Sequence, residues 1–232
     1  MSQRLNQMYS TREAYRLPLY TLRQAAHLTG LANATVRSWT QTADTGLIQP
    51  AAAGGLSFLN LVELHVLASI RKHHQLSLPK IRYAVQYVRR ELKTEHPLAE
   101  QQFETDGADL FIRALDDTLV NASKHGQVAI RELMNAYLQR IQRAPDGFPL
   151  RLFPVYRHDV DTVQEVQQAP SFIVVDPAIA FGRPILAENS IPVDVVVGRY
   201  KAGDSISELV EDYDLSYQAV EEALRFELGN AA

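Results

Sequence analysis

Apolar side chains recur at helical spacing over most of the chain, and the breaks between these runs define the elements. Leu22, Ala25 and Leu28 form one stripe, and Thr21 with Gln24 three residues later has the form of a capping box. The helix they predict ends at Gly30, a natural left-handed terminator. A second helix is predicted over 33–41, with Val36 and Trp39 or Thr40 inward. Residues 46–50 read as a turn and an extended piece, because the residue before Pro50 is pushed away from helix. Gly54-Gly55 reads as the tip of a hairpin or wing, after which Phe58 re-enters the core. A third helix is predicted over 59–74. A fourth opens at Ser77 with Pro79 in its first turn and carries Ile81, Val85, Val88 and Leu92 on one side.

Beyond this point the pattern changes. Asp106-Gly107 and His125-Gly126 read as turns between short apolar segments, and a helix is predicted over 129–141. Residues 148–155 and 171–175 read as strands. The last sixty residues return to short helices: one over 192–200 leading to Gly203, one from Asp204 to Asp212, and one opening at Asp214-Leu215-Ser216. The fold class expected is mainly α with a small α+β middle section. The expected parts are an N-terminal arm (1–19), a winged helix-turn-helix domain (20–96), a small α+β linking region (97–168) and a C-terminal helix-turn-helix-like module (169–232).

Charge divides the chain more sharply than the net value of −4 suggests. Residues 1–96 hold 12 Lys+Arg against 5 Asp+Glu, net +7; residues 97–232 hold 11 against 22, net −11. A polyanion suits the first part and a basic protein the second. The chain has no cysteine, which excludes disulfides, thiolate metal sites and thiol chemistry. No apolar run reaches membrane-spanning length and no signal peptide is evident, so a cytoplasmic protein is expected. The seven histidines form no His-x3-His pair, and no Ser/His/Asp arrangement can be assembled, so neither a metal, a cofactor nor a catalytic residue is expected.

The helix-turn-helix signal is the most specific. Ala25 and Ala26 allow two helices to approach closely, Gly30 permits the tight turn, and Val36 locks the second helix onto the first. Arg23, Asn33, Thr35, Arg37, Ser38 and Gln41 are then candidate DNA contacts, as arginine and short polar groups reach base edges or phosphates.

Residues 20–92 resemble the MerR-type DNA-binding domain, although the wing has Ser57-Phe58 in place of the usual Arg-aromatic pair and no dimerising coiled coil follows Leu92. Asp176-Pro177, Gly182-Arg183-Pro184 and Ile191-Pro192-Val193 are similar to the domain of unknown function 433. Together the two resemble the larger VapB-type antitoxins. That resemblance implies an antitoxin that binds operator DNA, represses its own promoter as a homodimer, and neutralises a toxin with a PIN-like ribonuclease fold. The acidic residues Glu208, Glu211, Asp212, Asp214, Glu221 and Glu222 are candidate toxin contacts, since nucleases attract RNA with basic surfaces. The alternative is a MerR-like regulator that senses a small ligand through its C-terminal region.

Overall fold

The structure, a computed structural model, describes residues 12–40, 46–51, 55–71, 77–116, 124–157, 160 and 162–229. Its described elements are helices α1 (Leu22–Thr29), α2 (Asn33–Thr40), α3 (Phe58–Arg71), α4 (Leu78–Leu92), α5 (Ala108–Asp116) and α6 (Lys124–Leu138), strands β1 (Ile141–Arg143) and β2 (Pro149–Leu152), helix α7 (Val163–Gln168), strands β3 (Ile173–Val175) and β4 (Pro184–Leu186), and helices α8 (Val193–Ala202), α9 (Ile206–Tyr213) and α10 (Tyr217–Leu228). The protein is thus mainly helical with a small four-stranded sheet, antiparallel throughout, in the order β1-β2-β3-β4.

Local chemistry sets the first helices. The Gln24 N–H donates to the Thr21 hydroxyl at 3.2 Å, and the Gln24 side chain accepts from the Thr21 N–H at 2.9 Å. This satisfies two groups that the helix leaves open. Gly30 ends α1 at φ 64°, and a β-carbon there would also lie 3.0 Å from the Tyr156 carbonyl oxygen. The turn therefore needs glycine both for its dihedral and for the passage of the middle section beside it.

Helix α3 is the hub. From Phe58 to Ile70 all its residues are buried, as expected of a helix enclosed on every side. Ser57 and Asn60 exchange reciprocal hydrogen bonds at its start, at 3.1 and 3.2 Å. His65 hydrogen-bonds through Nε2 to the Tyr137 carbonyl of α6 at 3.0 Å. Burial drives the His65 pKa down to about 3, so the ring is neutral and donates from Nε2.

Several expectations change. Residues 12–20 of the expected arm are docked on the core: Tyr15 is buried edge-on against Phe58 and Phe148, with centroids 5.4 and 5.2 Å away. Tyr20 pairs with Leu56 through two backbone bonds of 2.9 and 2.8 Å. Asp106-Gly107 is no hairpin turn but lies in a π-helical turn, Phe103–Gly107, that runs directly into α5. Gly107 is accommodated because a β-carbon would meet the Phe103 ring. His125-Gly126 is no turn either: its backbone continues within α6, which ends at Leu138 so that Ile141 opens a strand. Gly54 of the expected wing, and residues 72–74 of the third predicted helix, lie outside the described residues. Sheet and core both cross the expected boundary at residue 169, with Leu152 of β2 paired to Val175 of β3.

Candidate nucleic-acid interface and C-terminal module

Helices α1 and α2 pack through small and apolar residues. Ala25, Ala26, Leu28, Val36 and Trp39 are buried between them and the core. Thr29 and Thr40 can be buried because each hydroxyl donates to a carbonyl one turn back, to Ala25 at 2.7 Å and Val36 at 2.9 Å. The opposite face is open. Arg23, Asn33, Arg37 and Ser38 are exposed and Thr35 is half-buried. Asn33 and Arg37 are four residues apart, one turn above the other on the same side. Among the described residues Arg23, Asn33, Arg37 and Ser38 make no side-chain hydrogen bond or ion pair, so their donors are free for a ligand. Gln41 lies outside the described residues.

The C-terminal module is built around three turns. Asp176 is buried and caps the first: its carboxylate accepts from the Ala178 N–H at 2.9 Å, from Arg151 Nε at 2.8 Å and from the Tyr15 hydroxyl at 3.4 Å. It thereby joins β3, β2 and the N-terminal segment. Burial first, then the Asp176 charge, push the Tyr15 hydroxyl up to about 12. In the second turn, Ala180, Phe181 and Gly182 all have left-handed φ, at 48°, 55° and 75°. Two of these are not glycine, at about 1–2 kcal/mol each. Gly182 sits against Tyr20 and Leu19, where a β-carbon would collide with the Tyr20 hydroxyl. In the third, the Asn189 side chain accepts from the Ile191 N–H at 3.1 Å and donates to the Tyr213 carbonyl at 2.7 Å.

The acidic candidates separate by what they already hold. Glu208 is exposed but completes a capping box with Ser205, whose backbone and hydroxyl bonds keep its carboxyl below the usual range. Asp212 pairs with Arg199 at 2.6 Å, and Glu221 with Arg225 at 3.2 Å. Asp214 is the left-handed cap of α9 at φ 50°. Glu211 is exposed. Glu222 corrects the expectation: it is 2 % exposed, accepts a hydrogen bond from the Tyr156 hydroxyl, and is held by Arg157 at 2.8 and 3.0 Å. Burial opposes its charge, yet the bonds from Tyr156 and Arg157 outweigh that and hold its pKa low. It braces α10 against the middle section and has no face to offer a partner.

Sequence reasoning missed a cavity of about 150 Å³ between α1 and the module, lined by Tyr20, Gln24, Phe181, Arg183, Asp194 and Glu227 among others. Its one sequence signal was Gly182-Arg183-Pro184, whose glycine marks a close approach without saying to what.

Comparison with known proteins bears on both halves. Residues 173–226 match the family model described as a protein of unknown function, DUF433. A Mycobacterium tuberculosis protein named as a candidate antitoxin, VapB45, is 24% identical over 235 residues, covering 90% of this chain and 93% of that one. The crystal structure of Rv2018 from Mycobacterium tuberculosis superimposes with a TM-score of 0.68 at 23% identity, covering 90% of this chain and 97% of the other. The chain is therefore similar to a VapB-type antitoxin over nearly its whole length, and it shares the fold of a solved mycobacterial protein.

Proposed function

We propose that the protein is the antitoxin of a toxin–antitoxin pair: a non-enzymatic, cytoplasmic regulator that binds its operator through α1 and α2 and neutralises a PIN-like ribonuclease toxin. The observation that carries this reading is the likeness to a VapB-type antitoxin along 90% of the chain. The geometry supports it at two places. The open face of α1 and α2 presents Arg23, Asn33, Arg37 and Ser38, which have no side-chain partner among the described residues, with Thr35 half-buried beside them, the arrangement a groove-reading helix needs. The acidic remainder of the chain, net −11, suits a partner whose own surface is basic enough to bind RNA. A homodimer reading two half-sites fits a helix-turn-helix protein. No helix among the described residues is long and apolar enough to cross a membrane.

The test has two arms. Co-expression with the product of the adjacent gene restores growth that the product alone arrests. The purified protein shifts a DNA fragment from upstream of its own gene, and does so less as salt rises. Growth arrest that co-expression leaves unrelieved contradicts the antitoxin assignment; no salt-dependent shift contradicts the operator assignment.

A further inference from the structure

We propose that the cavity between α1 and the 180–184 turn is a socket for one arginine side chain of the partner protein, with Phe181 as its stacking wall and Glu227 as its counter-charge. The inference rests on the antitoxin reading and names where the partner docks.

Phe181 is 87% exposed, far more than any other large apolar residue described, and its backbone is held at φ 55°, ψ 36°. An aromatic ring set out in water on a strained turn beside a cavity is a candidate binding anchor. Beside it the cavity holds two polar groups without partners among the described residues. Tyr20 is 4% exposed, and its hydroxyl is buried with no hydrogen bond. Glu227 is half-buried and forms no ion pair, while the neighbouring Asp194 is already taken by Arg183 at 2.9 Å. Burial is the main cause that raises the Glu227 pKa; Lys201 pulls it down and Asp194 adds to the rise.

An arginine supplies what is missing. Its guanidinium plane stacks on Phe181 and one edge donates to Glu227. Size favours a side chain over a free metabolite: about 150 Å³ is well below the ~300–1,000 Å³ of ordinary small-molecule sites. The strongly acidic remainder of the chain favours a basic partner.

The experiment measures affinity of the full-length protein for the adjacent-gene toxin by calorimetry, with oligomeric state followed by sedimentation. Phe181→Ala and Glu227→Gln each weaken binding at least tenfold. Phe181→Gly, which keeps the left-handed backbone and removes only the ring, does the same while folding at least as stably. Glu132→Gln, an exposed acid on α6, changes affinity less than twofold. If the wild type binds and the Phe181 and Glu227 variants bind equally well, the socket is overturned and the antitoxin reading stands. If the wild type binds no toxin, both fall. If Phe181→Ala abolishes self-association and leaves toxin binding intact, the patch belongs to a second copy and the proposal is overturned.

Discussion

The two ends of the molecule carry opposite charge and use it differently. On the α1–α2 face the polar side chains are exposed and unengaged among the described residues. In the C-terminal module most acidic residues already serve the fold: Glu208 caps α9, Asp212 holds Arg199, and Glu222 is buried under Tyr156 and Arg157. A run of like charge in sequence is therefore not a surface. The basic end leaves its polar face open, whereas the acidic end hides part of its charge in internal braces and leaves Phe181 and Glu227 at the junction with α1.

The sharpest way to break this contrast is through the junction. Gly182→Ala should destabilise the protein by about 3 kcal/mol, from left-handed strain plus overpacking against Tyr20. Adding Tyr20→Phe should recover a good part of that loss, as a thermal-melt double-mutant cycle would show. Additive losses would mean that the two residues do not press on one another.

Next in size is the buried brace. Glu222→Gln should cost about 2–3 kcal/mol, less than a fully buried pair because Arg157 is 40% exposed. Urea unfolding checks this, and a loss below ~0.5 kcal/mol would return Glu222 to the accessible surface. On the basic end, Arg37→Ala should leave stability within ~0.5 kcal/mol yet weaken operator binding by about 1–3 kcal/mol if it reads a base. Unchanged affinity in an anisotropy titration removes Arg37 from the interface.

Acid should separate two buried groups. The folded-state pKa of His65 lies below its unfolded value of about 6.5, so the neutral ring's contribution is complete above pH 6.5 and is lost as pH falls toward 3. The slope is at most about 1.4 kcal/mol per pH unit. The pKa of Glu222 is lowered too, so its contribution is present above about 4.5 and is lost only below that. Between pH 6.5 and 4.5, His65→Gln should therefore flatten the stability curve while Glu222→Gln does not. The smallest effect belongs to Glu211→Gln on α9, within ~0.5 kcal/mol by thermal melt, as exposed charge contributes little to folding.

The helices at the two ends of the chain were legible because their signals are local, whereas α5 and α7 were not read. Thr21 with Gln24, Gly30, Ser205 with Glu208, and Ser216 all lie within a few residues of the turns they cap. Strands β1 and β4 were not, since each has three residues and depends on a partner strand. The π-helical turn was masked by Asp106-Gly107, where packing against Phe103 decides the conformation. The open face of α2 followed from the spacing of Val36 and Trp39. The burial of Glu222 could not follow from sequence, because Tyr156 and Arg157 lie 66 and 65 residues away. Nor could the cavity, which joins α1 to residues more than 150 positions on.

The most direct measurement of the central claim is a ribonuclease assay of the adjacent-gene product, titrated with the purified full-length protein. Cleavage of RNA should fall to background at stoichiometric addition, and Arg37→Ala should inhibit as well as the wild type. Cleavage that persists at a large excess of protein would contradict the assignment as an antitoxin.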